Sequence, residues 1–222
     1  MFSLIFPGQG SQIIGMAKQF YEDFDFIREY FAKSDEILKK NLTKIILNGP
    51  REELDLTENT QPAIFLTSYS IFKVIQKNTS FNLKKAKYYA GHSLGEYSAL
   101  CCAESINFDQ TLELLKYRGI AMQNAVPKGE GGMVAVLGSE INKINDMIKN
   151  NYANFQCYIA NDNTVGQLVI SGKLTSLEKF CELLKKNNIK FIKLPVSAPF
   201  HCPLMKKATD EMKFRINKTN FI

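Results

Sequence analysis

The stretch Ala90-Gly91-His92-Ser93-Leu94-Gly95-Glu96 holds a G-x-S-x-G pentapeptide. A Tyr- and Ala-rich run, Lys87 to Ala90, precedes it, and a helix-like run, Glu96 to Ala103, follows. That is the strand–turn–helix setting of a nucleophile elbow. Gly91 and Gly95 leave room for a tight turn, so the Ser93 hydroxyl can stand exposed at a helix N-terminus. Serine is a weak nucleophile until a base activates it. The chain has two histidines. His92 adjoins Ser93 in a sharp turn, where neighbouring side chains diverge, and this leaves His201 as the candidate base.

Outward from the elbow, strands and helices alternate. Leu4 to Phe6 reads as a buried strand that ends in Pro7-Gly8-Gln9-Gly10-Ser11-Gln12. Helices are expected over 14–31, over 34–42 and, with the apolar density of a buried helix, over 61–76. A further helix is expected over 109–124. This is an α/β pattern with a parallel sheet. The character changes at Val126-Pro127-Lys128-Gly129-Glu130-Gly131-Gly132, a Gly/Pro hinge. A strand over 133–137 follows, then a helix marked by Ile141, Ile144, Met147 and Ile148 at helical spacing. Strands over 155–160 and 167–171 are joined by the turn-rich run from Asn161 to Gly166. A second helix, marked by Leu177, Phe180, Cys181 and Leu184, leads to a final strand over 189–196. The order β-α-β-β-α-β is the ferredoxin-like unit. Residues 126–196 therefore read as a small domain inserted into an α/β domain made of 1–125 and 197–222. His201 falls just past a strand end, before a helix expected over 203–214.

The 222 residues allow one large domain or two unequal ones, and 45% hydrophobic residues suffice for a packed core. No apolar run approaches membrane-spanning length, and the N-terminus lacks the basic region and cleavage site of a signal peptide. The five cysteines are odd in number and lack metal-type spacing, which fits reduced thiols in the cytoplasm. Cys101 and Cys102 are expected to pack as small hydrophobes. The net charge is +6, carried mostly by scattered lysines. Such an excess is either solvated surface or an attraction for an acidic partner. Nucleic acid is a poor candidate, because there is neither a dense basic stripe nor a nucleic-acid motif.

Two further features bear on chemistry. Arg118 lies three residues after Leu115 and four before Met122, on the apolar face of its helix. A buried guanidinium needs an anion. The spacing fits a clamp on a substrate carboxylate, and equally a pairing with an internal acid or a reach to the surface. The loop Pro7 to Gln12 is neither a P-loop nor G-x-G-x-x-G. At a strand's carboxyl end its backbone N–H groups can point into a site, beside the Leu94 N–H at the start of the next helix.

Taken together, these pieces resemble the malonyl-CoA:acyl carrier protein transacylase family. The segments Phe6 to Gln12, Gly91 to Leu100, Arg118-Gly119 and Pro199-Phe200-His201 occur in family order, and the resemblance runs from residue 2 to about 213. It implies an α/β-hydrolase-like large domain with an inserted ferredoxin-like domain. It implies that Ser93 carries the malonyl ester, that His201 activates it and that Arg118 holds the malonyl carboxylate. The N–H groups of Gln9 and Leu94 would form the oxyanion hole. Gln61 and Asn161 match positions near the family's active site, and Phe200 matches members that prefer malonyl over methylmalonyl groups. The implied reaction is ping-pong: malonyl-CoA acylates Ser93, and the phosphopantetheine thiol of an acidic acyl carrier protein takes the malonyl group. No cofactor or metal is implied, and a cytoplasmic monomer is expected. Family chains continue well beyond Ile222 with a segment that includes a Gln whose carbonyl orients the catalytic histidine, so this chain is expected to be C-terminally truncated relative to them.

Two rival readings make different demands. A serine esterase or thioesterase needs an acid between serine and histidine; Asp146 and Asp162 are the candidates, but both fall in the inserted domain and neither is well placed, and a neutral ester leaves Arg118 without a purpose. A carrier-protein-binding fragment without catalysis would keep the basic surface and leave Ser93 unlabelled.

Overall fold

A computed structural model describes residues 1–127, 129–196 and 198–222. Lys128 of the expected hinge and Ser197 at the expected domain boundary lie outside the described residues. In chain order the elements are β1 (Phe2–Phe6), α1 (Lys18–Asp23), α2 (Asp25–Leu38), α3 (Leu42–Asn48), α4 (Arg51–Leu54), α5 (Thr57–Asn78), β2 (Ala86–Gly91), α6 (Gly95–Cys102) and α7 (Phe108–Asn124). Then come β3 (Gly131–Leu137), α8 (Ile141–Asn150), β4 (Cys157–Thr164), β5 (Gln167–Lys173), α9 (Leu174–Lys186), β6 (Lys190–Lys193) and α10 (Lys206–Asn217). The chain divides into two compact units, Met1–Ile120 with Met212–Ile222, and Ala121–Glu211.

In the first unit β1 and β2 pair in parallel, with Leu4 opposite Tyr89 and Phe6 opposite Gly91. Both strands therefore end at the same edge, where the Pro7–Gln12 loop and the elbow emerge. The core is mostly helical. Phe31, Leu42, Ile46, Phe65, Leu66, Leu112 and Leu115 are fully buried, and Phe65, Tyr69 and Phe108 stack with ring centroids 4.9–5.7 Å apart. Cys101 and Cys102 pack into this core, and burial pushes the Cys101 thiol up to about 11, so it stays protonated.

In the second unit four antiparallel strands lie in the order β4-β5-β3-β6. β3, near the centre, is buried along almost its whole length. Val134 and Val136 pack with Ile144, Ile148, Phe180 and Leu184 of α8 and α9. Met133 faces a separate cluster with Val169, Phe200, Met205 and Ala208. Burial on both faces is why this strand reads as a continuous apolar run.

Several boundaries differ from expectation. The helix expected over 14–31 is broken at Phe24, whose backbone is extended (φ −129°). Ser34 does not open a helix: it lies inside α2, where its hydroxyl donates to the Tyr30 carbonyl at 2.7 Å. A mid-helix serine that bonds back one turn is indistinguishable by residue type from an N-cap. The long helix begins at Thr57 rather than Gln61, so Pro62 sits in its second turn. The polar run Asn161 to Thr164 is strand rather than turn, since it pairs with β5 through two register irregularities, and the turn contracts to Val165-Gly166. The second compact unit also reaches past 126–196 at both ends. Ala121 and Met122 of α7, with Ala198, Phe200 and Met205, bury their side chains in the cluster around Met133, and this carries His201 into that unit.

Candidate active site

Ser93 adopts φ +55°, a left-handed conformation that an L residue rarely takes and that marks strained functional turns. The turn is closed by the Gly95 N–H donating to the His92 carbonyl (2.9 Å) and the Glu96 N–H donating to the Ser93 carbonyl (3.1 Å). It is tied to the sheet by the His92 N–H donating to the Phe6 carbonyl at 3.0 Å. A side chain at Gly91 would collide with the Gly95 backbone, and a Cβ on Gly95 would lie 2.8 Å from the Pro7 carbonyl oxygen. The two motif glycines are thus required by backbone crossings. Leu94, at the N-cap of α6, is buried, and its N–H belongs to the positive end of that helix.

Arg118, on α7, is half-buried. Its Nη1 donates to Gln61 Oε1 at 2.8 Å and its Nη2 donates to Ser93 Oγ at 3.0 Å. Its guanidinium carbon lies 5.7 Å from the Tyr97 ring centroid, within cation–π range. Gln61 itself, on α5, has no exposed surface. Burial pulls the Arg118 pKa below its ordinary value, and Tyr97 and Glu96 oppose that pull. The guanidinium nonetheless remains a cation. Gly119 explains the geometry: a Cβ there would lie 2.6 Å from Glu58 Cα and 2.7 Å from the Thr57 carbonyl oxygen. Only glycine lets α7 come this close to α5, which brings Arg118 to Gln61.

Gln9 is half-buried in the loop after β1. This loop is anchored through its own Gln12 by Asp55 and Arg51, which the sequence did not single out. The buried Gln12 accepts from the Gly10 N–H at 2.8 Å and donates to Asp55 Oδ1 at 2.7 Å. Arg51 grips the other Asp55 oxygen at 2.6 Å and the Gln12 carbonyl at 3.2 Å. Burial would raise the Asp55 pKa, but the hydrogen bonds from Arg51 and Gln12 and the Arg51 charge outweigh it and lower the carboxyl. On its inner side Gly8 packs against the His92 ring. Only the unremarkable pattern Arg51-x-x-x-Asp55, an i,i+4 pair at the start of a short helix, hints at this clamp in the sequence.

The second unit holds the other expected site residues. His201 is solvent-exposed and has φ +56°. Contacts from several elements hold its turn. Ser171, fully buried on β5, donates to the Phe200 carbonyl at 2.5 Å. Cys202 Sγ donates to the Pro199 carbonyl at 3.0 Å. Gly131 abuts the Pro199 ring so tightly that no side chain fits. Phe200 is buried in the cluster around Met133. Asn161 is half-buried on β4, opposite Val169. Asp146 and Asp162, the acids that an esterase would need, are both exposed.

The acyl transferase domain family matches residues 3–221. The malonyl CoA-acyl carrier protein transacylase of Bacillus subtilis is 40% identical over 215 residues, covering 95% of this chain and 66% of that protein. Its Salmonella typhimurium counterpart is 38% identical over 221 residues, covering 99% of this chain and 71% of that protein. This chain belongs to the malonyl CoA-acyl carrier protein transacylase family. It spans about two thirds of the length of these transacylases. Its α/β fold superposes with a TM-score of 0.94 on a malonyl-transacylase solved in complex with a type II PKS acyl-carrier protein, at 36% identity, covering 100% of this chain and 71% of that one. Among the described residues no helix is long and apolar enough to cross a membrane.

Proposed function

We propose that this chain performs the transfer for which its transacylase relatives are named, moving a malonyl group from malonyl-CoA to acyl carrier protein through an ester on Ser93. One observation carries the reading: a fixed guanidinium donates to the nucleophile's own oxygen, Arg118 Nη2 to Ser93 Oγ at 3.0 Å. Once Ser93 is acylated, a short dicarboxylic acyl group places its free carboxylate within reach of that fork. An uncharged acyl group has no use for it.

In this mechanism His201 takes the Ser93 proton as Oγ attacks the thioester carbonyl. The N–H groups of Gln9 and Leu94 hold the oxyanion, a donor pair whose members are each worth about 10²–10³ in rate in comparable sites. The C–S bond breaks, the CoA sulfur takes the proton from His201, and the malonyl ester remains on Ser93. The phosphopantetheine thiol of the carrier then gives its proton to His201 and attacks the ester, and Ser93 Oγ leaves and is reprotonated. Gln61 holds the Arg118 fork, Phe200 limits the acyl pocket, and Asn161 lies near the bound thioester. The +6 charge suits an acidic carrier.

The same reading takes 1–125 and 197–222 as an α/β-hydrolase-like domain and 126–196 as an inserted ferredoxin-like domain. The strand order β4-β5-β3-β6 and the α8 and α9 side chains packed against Val134 and Val136 support the second assignment. The setting is a cytoplasmic monomer without a cofactor.

Intact mass after incubation with malonyl-CoA tests the proposal, with Ser93→Ala as control. A malonyl adduct that the control lacks is expected. Well-folded protein that takes no adduct would overturn the assignment of acylation to this chain.

A further inference from the structure

Tyr97 follows Ser93 by four residues, in the first turn of α6, and meets the same guanidinium that donates to the nucleophile. The Arg118 guanidinium carbon lies 5.7 Å from its ring centroid, and the two side chains are hydrogen-bonded. A guanidinium carries N–H donors and no acceptor, so the phenol oxygen accepts. Arg118 thus meets Gln61 Oε1 at 2.8 Å from α5, Tyr97 from α6 and Ser93 Oγ at 3.0 Å. Gln61 and Tyr97 keep their places throughout a reaction at Ser93. Ser93 Oγ is the atom that becomes acylated. One hydrogen bond leaves the guanidinium plane free to turn, and a second from another helix fixes it.

The chemistry of the second partner also suits a clamp. Burial pushes the Tyr97 phenol up, so it is uncharged at neutral pH. A carboxylate in its place would neutralise Arg118 and compete with a substrate carboxylate for the same N–H groups. The ion pairs of the described residues do not include Arg118. Glu96, next to Tyr97 in the chain, is exposed and adds charge without a hydrogen bond. A neutral oxygen and a ring face stabilise the half-buried cation and leave its charge to a ligand.

We propose that Tyr97 is a positioning residue for Arg118: its phenol oxygen and ring fix the plane of the guanidinium, aim the free edge at the acyl group on Ser93, and so favour malonyl over uncharged acyl groups. The inference rests on the malonyl-transfer reading.

The test is the rate of Ser93 adduct formation from malonyl-CoA and from acetyl-CoA, read by intact mass on the full chain. Wild type is compared with Tyr97→Phe, Arg118→Ala and the double variant. Phenylalanine keeps the ring that packs on the core of the first unit and removes the oxygen. Both donors are measured on one preparation, so any loss of folded protein cancels from the malonyl-to-acetyl ratio. A ring needed only for packing would leave that ratio unmoved. The ratio should fall about tenfold in Tyr97→Phe, the equivalent of one charge-assisted hydrogen bond. In the Arg118→Ala background the same change should have no further effect on it. Tyr117→Phe, which alters a phenol that faces Arg215 from the neighbouring position on α7, should keep the wild-type ratio. An unaltered ratio in Tyr97→Phe overturns the proposal. So does an equal fall in the Arg118→Ala background, which would have the phenol act on the acyl group by itself. Wild type labelled by malonyl-CoA, with Tyr97→Phe at the same ratio, removes this inference alone. Wild type that takes no malonyl adduct removes the reading beneath it as well.

Discussion

Replacing Arg118 by alanine separates the carboxylate clamp from every other duty of that side chain. The guanidinium donates to Gln61 Oε1 at 2.8 Å and to Ser93 Oγ at 3.0 Å. Its loss from Ser93 affects any acyl donor alike. Its loss from a malonyl carboxylate affects only the malonyl donor. Two charge-assisted hydrogen bonds to one carboxylate are worth about 3 kcal/mol together. At about 1.4 kcal/mol per decade, this gives roughly a 10²-fold greater loss for malonyl-CoA than for acetyl-CoA. The variant also removes one donor to the buried Gln61 oxygen, a cost of about 1 kcal/mol, partly offset by removing a cation that burial already disfavours. A thermal melt therefore accompanies the kinetics, and Arg118→Lys, which keeps the charge but not the fork, should recover only part of the malonyl rate. The assay is the rate of Ser93 adduct formation from each thioester. Equal losses for malonyl and acetyl donors would refute the carboxylate role.

Three further outcomes are expected. Gly119→Ala forces a Cβ to within 2.6 Å of Glu58 Cα; overpacking of about 1–3 kcal/mol should lower Tm by about 5 °C and slow acylation with both donors, whereas an unchanged melt would show that α7 and α5 can separate freely. Ser171→Ala removes the donor to the Phe200 carbonyl and should destabilise by about 1–2 kcal/mol in denaturant unfolding, with the malonyl-to-acetyl preference unaltered. The lowered Asp55 carboxyl stabilises the fold above its ordinary value of 3.8, and that contribution disappears as pH falls through the lower folded value. Asp55→Asn should therefore flatten this limb of a stability–pH profile, and an acid limb identical to wild type would remove Asp55 from the account.

What the sequence could specify alone was local. The elbow is legible because Gly91, Ser93 and Gly95 meet steric demands within five residues, between a strand and a helix that their own periodicities announce. The amphipathic pattern Leu112, Leu115, Arg118, Met122 turns the arginine inward, and two prolines frame His201. Boundaries at Phe24, Ser34 and Thr164 were less readable, because pairing and packing overrode residue preference there: Asn161 to Thr164 are strand only because β5 lies alongside.

The partners were decided by tertiary structure. The Arg118 spacing was compatible with a substrate clamp, an internal acid or the surface. The close approach of α7 to α5 at Gly119 brings it to Gln61, 57 residues away in the chain, and to Ser93, 25 residues away. Likewise the Gln12–Asp55 bond that holds the Gln9 loop spans 43 residues, and Ser171 secures the His201 turn from 29 residues away. A hydrogen bond between distant residues leaves no periodic trace in the sequence, since its geometry exists only after packing has closed the intervening chain.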